Sequence, residues 1–149
     1  MFRNASVLVV CALAIVLGGC RKAPKPVIVE AEGVVLLDGK PVNKAMVRFV
    51  PTMRAGPEYI AMGVTDESGH FYLSCKGQYG ACVGDSHVVV MEAALPSELK
   101  GEDKGPRVGE YFRSLGARPL PPQYANVVST PLVFEVSAEQ KVYTIELSR

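Results

Sequence analysis

Asp85, Ser86 and His87 stand side by side, the three residue types of a hydrolytic triad, and the chain has one other histidine, His70. A triad needs hydroxyl, imidazole and carboxylate to converge within hydrogen-bond reach. Consecutive strand residues point to opposite faces, which argues against cooperation here. Two carboxylate pairs, Asp66/Glu67 and Glu102/Asp103, lie in the turn "DESG" and the charged run "KGEDKG". Neither comes with a cleft that would raise a pKa for acid–base work. "DESG" supplies too few oxygens for an EF-type calcium loop, and "GQYGACVG" lacks the lysine and following helix of a phosphate loop. No cofactor, metal centre or catalytic residue is expected. The cysteines remain.

Cys20 ends a leader. Arg3 precedes an uncharged apolar run at 5–17, and Arg21 and Lys22 close it. A helix of that length reaches about 20 Å, short of the roughly 30 Å of a bilayer core. A charged start, a short apolar middle and small residues before a cut describe a signal peptide. Leu17-Gly18-Gly19-Cys20 resembles the bacterial lipobox, whose cysteine takes a diacylglycerol on sulfur, becomes the new N-terminus and is acylated there. Several chains on one residue suffice for stable anchoring, at about 0.8 kcal/mol per buried methylene. The competing readings are an ordinary secretory signal and an uncleaved anchor. The expectation is a signal peptide at 1–19, a tether at 20–32 and a domain at 33–149, held by membrane lipid through acylated Cys20. The address is the bacterial cell envelope, on its periplasmic or cell-surface face. Arg21 is not the aspartate that retains some lipoproteins at the inner membrane, which points outward.

The chain carries 16 basic and 15 acidic residues. Loss of the leader removes Arg3 and leaves the two in balance. Nucleic-acid binding would need a basic patch or stripe, so it is not expected.

Cys11 leaves with the leader, so Cys75 and Cys82 remain in a compartment where disulfides persist. A strand ending at Cys75, a turn at Gly77/Gly80 and a return near Cys82 place the sulfurs side by side. A structural disulfide is the first reading; two free thiols and a metal site are the alternatives. A redox pair would show C-x-x-C spacing and a helix N-terminus.

The elements that must position these residues are strands. Short period-2 segments alternate with turn signals: "GVVLL" before Asp38-Gly39, "KAMVRFV", "YIAMGVT", "HFYLSC", "SHVVVMEA", "PLVFEV" and "VYTIEL". Ala45, Val47 and Phe49 share a face, as do Phe71, Leu73 and Cys75, Leu132, Phe134 and Val136, and Tyr143, Ile145 and Leu147. In "SHVVVMEA" Val88 and Val90 are preferred as the inward set, leaving His87 in water. "VIV" at 27–29 reads as a tether end pairing with the first strand. Seven such strands with frequent turns predict an all-β fold, a seven-stranded antiparallel β-sandwich. The long connection at 94–130 interrupts the rhythm. Within it Val108, Tyr111, Phe112 and Leu115 follow helical spacing, with Gly116 as the stop. The segment reads as a cover for the sheet edge or as a binding surface.

Three stretches carry a resemblance: "LDGKPVNKAMVRFVP" (37–51), "GVTDESGHFYL" (63–73) and "PPQYANVVSTPLVFEV" (121–136). In this order they resemble carboxypeptidase regulatory-like, transthyretin-type (Ig-like) domains of bacterial surface lipoproteins. The family's fifth strand usually opens Pro-Gly-x-Tyr, where this chain has Val83-Gly84-Asp85-Ser86. The resemblance implies a non-catalytic sandwich and carries over no functional residues. The hydroxyisourate hydrolases share only the fold class. Their channel histidines, arginine and Tyr-Arg-Gly-Ser tail are not matched by "TIELSR".

The expected function is a lipid-anchored envelope protein, not an enzyme, serving structure, adhesion or binding of an envelope protein. The alternative is a carbohydrate- or solute-binding module with Tyr111, Phe112 and Tyr124 as an aromatic platform. A degenerate hydrolase is the remaining reading.

Overall fold

The computed structural model describes residues 24–101 and 105–149, so Cys20, the leader and the Glu102/Asp103 pair lie outside the described residues. The chain pairs first at β1 (Ile28–Val29), and β2 (Glu32–Leu37) follows at once. Asp38 and Gly39 both take positive φ (50° and 77°), the geometry a two-residue hairpin turn demands, and lead to β3 (Lys40–Pro41). Next come β4 (Ala45–Pro51), β5 (Ala61–Val64), β6 (His70–Tyr72), β7 (Ser74–Cys75), β8 (Gln78–Tyr79) and β9 (Ala81–Cys82). The long β10 (Gly84–Glu92), the helix α1 (Pro106–Ser114), β11 (Val133–Val136) and β12 (Val142–Leu147) complete the described elements.

Among the described residues the fold is all-β, mostly antiparallel, with one short α-helix. One sheet runs β11-β10-β4-β5-β7-β8; a second runs β12-β2-β3 with β6 also on β2; β1 and β9 form a small third. The inward faces follow the sequence alternation. Ala45, Val47 and Phe49 of β4, Val88 and Val90 of β10, Val35 and Leu37 of β2, and Tyr143, Ile145 and Leu147 of β12 are all buried in one core. Phe49 sits among rings from both larger sheets: Tyr143 at 5.6 Å between centroids, Phe134 at 6.2 Å and Phe71 at 6.5 Å. The tilted and edge-on geometries suit aromatic quadrupoles. Gly33 permits a close approach, since a Cβ there would collide with the Tyr143 carbonyl and the Phe71 ring.

Four expectations need correction. The fold is not wholly antiparallel, because β12 runs parallel to β2, Val142 opposite Glu32 through Leu147 opposite Leu37. "HFYLSC" is not one strand: β6 pairs with β2 while β7 pairs with β5, and the chain changes sheets at Leu73. Leu73 meanwhile donates its N–H to Ala31 and accepts from Gly80, so its backbone stays paired across the switch. Ile28–Val29 pairs with Ala81–Cys82 of β9 and not with the strand that follows it. His87 is half-buried, and its neighbour Val89 is buried on the outward side, because the 122–127 segment lies over β10.

Phe49→Ala should lower stability by about 3–5 kcal/mol, the range for a large buried aromatic. Urea denaturation of wild type and variant checks it.

Candidate binding surface

The 94–130 connection is pinned at Arg118, whose side chain is only 7% exposed. Its Nε contacts the Glu92 carboxylate at 2.8 and 2.9 Å, and its Nη2 donates to the Asn43 carbonyl at 2.6 Å. Burial pushes the Glu92 carboxyl up, and the guanidinium beside it draws it back down. Thr130 holds the far end, donating from Oγ1 to the Val88 carbonyl at 2.7 Å. Helix α1 starts with Pro106 in its first turn and stops at Gly116 (φ 64°), as its spacing predicts. Val108 is buried, while Tyr111 and Phe112 are half-buried and face one another at 5.4 Å. Phe112 lines a cavity of about 310 Å³ with Glu92, Arg113, Arg118 and Pro119.

Tyr124 does not join them. It is 4% exposed, and its hydroxyl meets the Ser148 hydroxyl at 3.5 Å and accepts the Ser148 backbone N–H at 3.2 Å, contacts that draw the phenol down in pKa. The Pro-Pro-x-Tyr loop therefore clasps the C-terminal strand, and an aromatic platform made with Tyr124 is ruled out by that burial.

The grouped, exposed aromatics lie elsewhere. Tyr72 of β6, on the β2 sheet, is 58% exposed, and Tyr79 of β8, at the edge of the six-stranded sheet, is 46% exposed. Their rings sit 5.8 Å apart, and His70 meets Tyr72 edge-on at 4.7 Å. Tyr79 donates its hydroxyl to Glu32 at 3.0 Å; desolvation and that carboxylate push the phenol up to about 12. Exposed Val142 stands beside Glu32 in the register, so the row reads Val142, Glu32, Tyr72, with Tyr79 bonded to Glu32. The alternation that buries Phe71 necessarily presents His70 and Tyr72, a signal readable in "HFYLSC" and missed in favour of the helix aromatics.

Cys75 and Cys82 are buried free thiols with their sulfurs 3.9 Å apart, a contact and not a disulfide bond of about 2.05 Å. The turn is tighter than its glycines suggest. Lys76 and Gly77 form it (φ 52° and 74°), Gln78 stands opposite Cys75, and Cys82 follows on β9. The Tyr59 carbonyl accepts from both thiols, at 3.3 and 3.6 Å. Burial pushes the Cys75 thiol up and the Cys82 thiol up to about 12. The thiolate is the nucleophile, so both groups are held in their unreactive form.

Ser86 is buried on the core side and His87 lies on the outward side, so the Asp85-Ser86-His87 run does not converge. Asp66 acts as a turn residue: its Oδ1 accepts the N–H groups of Ser68 and His70, both at 2.9 Å, and the Ser68 hydroxyl at 2.7 Å. Those bonds hold its carboxyl below the usual range. Among the described residues no group of three or more His, Cys, Asp or Glu could hold a metal ion. No family model, curated protein or solved structure matches the chain.

The folded, reduced chain should resist iodoacetamide at pH 8 at both Cys75 and Cys82, and urea should make both react. Peptide mass spectrometry reads the adducts. Rapid labelling of the native chain would contradict the buried, protonated pair.

Proposed function

We propose that the chain is a bacterial envelope lipoprotein, anchored by acylated Cys20, whose non-catalytic transthyretin-like sandwich binds an envelope protein through its tyrosine face. The single observation that supports this is the exposure of Tyr72 and Tyr79 side by side where strands of the two larger sheets adjoin. Tyrosine buries large area at low entropic cost and is enriched in protein interfaces. The face also lies near the start of the fold: Tyr79 is two residues from β9, which pairs with the first strand leaving the tether. In the oxidising envelope the adjacent Cys75 and Cys82 would close into a structural disulfide.

A second reading, glycan binding, is favoured by one feature. The tyrosine faces stand beside Glu32, an acceptor for sugar hydroxyls that already accepts Tyr79.

Cys20→Ser should move the protein from the membrane fraction to the soluble fraction, followed by immunoblot after fractionation. Retention in the membrane would overturn the acyl anchor.

The double variant Tyr72→Ser/Tyr79→Ser should melt close to wild type, since surface changes are worth about 0.5 kcal/mol or less. It should also lose capture of the envelope partner in cross-linking. A glycan array probed with the soluble Cys20→Ser chain separates the readings: tyrosine-dependent signal supports the glycan, and silence removes it.

A further inference from the structure

Arg48 projects from the outward side of β4, in the middle of the six-stranded sheet. Its register neighbours are apolar, Met62 on β5 and Val89 on β10. The residue is half-buried, and its Nε is sealed from solvent with no acceptor in the protein. None of the ion pairs among the described residues takes Arg48. A guanidinium is all donor, and a buried donor without an acceptor is costly.

Arg48 lines a cavity of about 300 Å³, walled by Val50, Ile60 and Val89 of the sheet side and Ala125, Asn126 and Val127 of the connection above it. Among the described residues no carboxylate and no second cation lines this space. Two register positions along, opposite Val50, His87 has an Nδ1 that is likewise buried and unpartnered. Asn126 commits its Oδ1 to the Val128 N–H at 2.8 Å, which fixes that part of the wall.

We propose that this groove binds a small monocarboxylate with a branched aliphatic body. The two Nη groups of the planar guanidinium fit a carboxylate in bidentate fashion, and a single cation fits a single negative charge. Val50, Ile60 and Val89 pack the hydrocarbon. The volume stands at the small end of ligand sites, which limits the guest to a few carbons.

Isovalerate is the probe, titrated into the ¹⁵N-labelled full chain, with isoamyl alcohol and acetate as controls. The expected result is a saturable shift of the Arg48 Nε–H resonance together with the amides of Val50, Val89 and Val127. The alcohol, which lacks the charge, and acetate, which lacks the body, should each bind about tenfold more weakly or worse. Arg48→Gln should cost about tenfold in isovalerate affinity while keeping a folded spectrum. Should that variant unfold, the two controls on the wild-type chain decide alone. No saturable shift with isovalerate, an equal response to the alcohol, or unchanged affinity in a folded Arg48→Gln chain would each overturn the proposal.

Discussion

The structure depends on one contact zone, the meeting of Phe49 with Phe71, Phe134 and Tyr143. Those four rings come from both larger sheets, so neither sheet can bury its apolar face without the other. Removing that much apolar area from water is the dominant favourable term in a chain of this size. It also decides every outward position. Once Phe49 faces in, Arg48 and Val50 must face out; once Phe71 faces in, His70 and Tyr72 must do so. The two candidate surfaces are thus complements of the core.

The long connection takes its place by polar contacts. Arg118 fills its donors with Glu92 and with backbone carbonyls near the start of β4, while Thr130 and Tyr124 bond to β10 and to the residue after β12. The half-buried ion pair has its guanidinium hydrogen-bonded on several sides, which offsets part of the desolvation that two charges incur. The segment between these points lies over the outward side of β10, burying Val89 and roofing the groove at Arg48. The same segment was the one most open to a functional reading, and its aromatic residues turn out half-buried or buried.

Much of the fold was legible because period-2 alternation is a strong local signal. Val47 and Phe49, Val88 and Val90, and Tyr143, Ile145 and Leu147 all face the core as their spacing predicts. The helix at Pro106–Ser114 was signalled by Val108, Tyr111, Phe112 and Leu115 with Gly116 as the stop, though Gly109 inside it weakened the pattern and left an ordered loop as the other reading. The parallel pairing of β12 with β2 was not, since alternation is the same in either direction. The sheet switch at Leu73 was hidden for a related reason: Phe71, Leu73 and Cys75 alternate without a break across it. Tyr124 misled because a Pro-Pro-x-Tyr run looks like exposed loop, and only tertiary packing shows its hydroxyl at Ser148. The tyrosine face needed the distance between Tyr72 and Tyr79, which no spacing supplies.

The pairing of β1 with β9 has a mechanical consequence. Tension on the polypeptide ahead of Pro24 enters the fold at Ile28 and Val29 and is borne first by two residues of β9. Alone, that junction is short enough to peel. Cys82 sits in it, and across the sulfur contact lies Cys75 of the six-stranded sheet. A covalent link at that point would pass the load directly into the largest hydrogen-bonded layer, turning a weak seam beside β1 into a rivet.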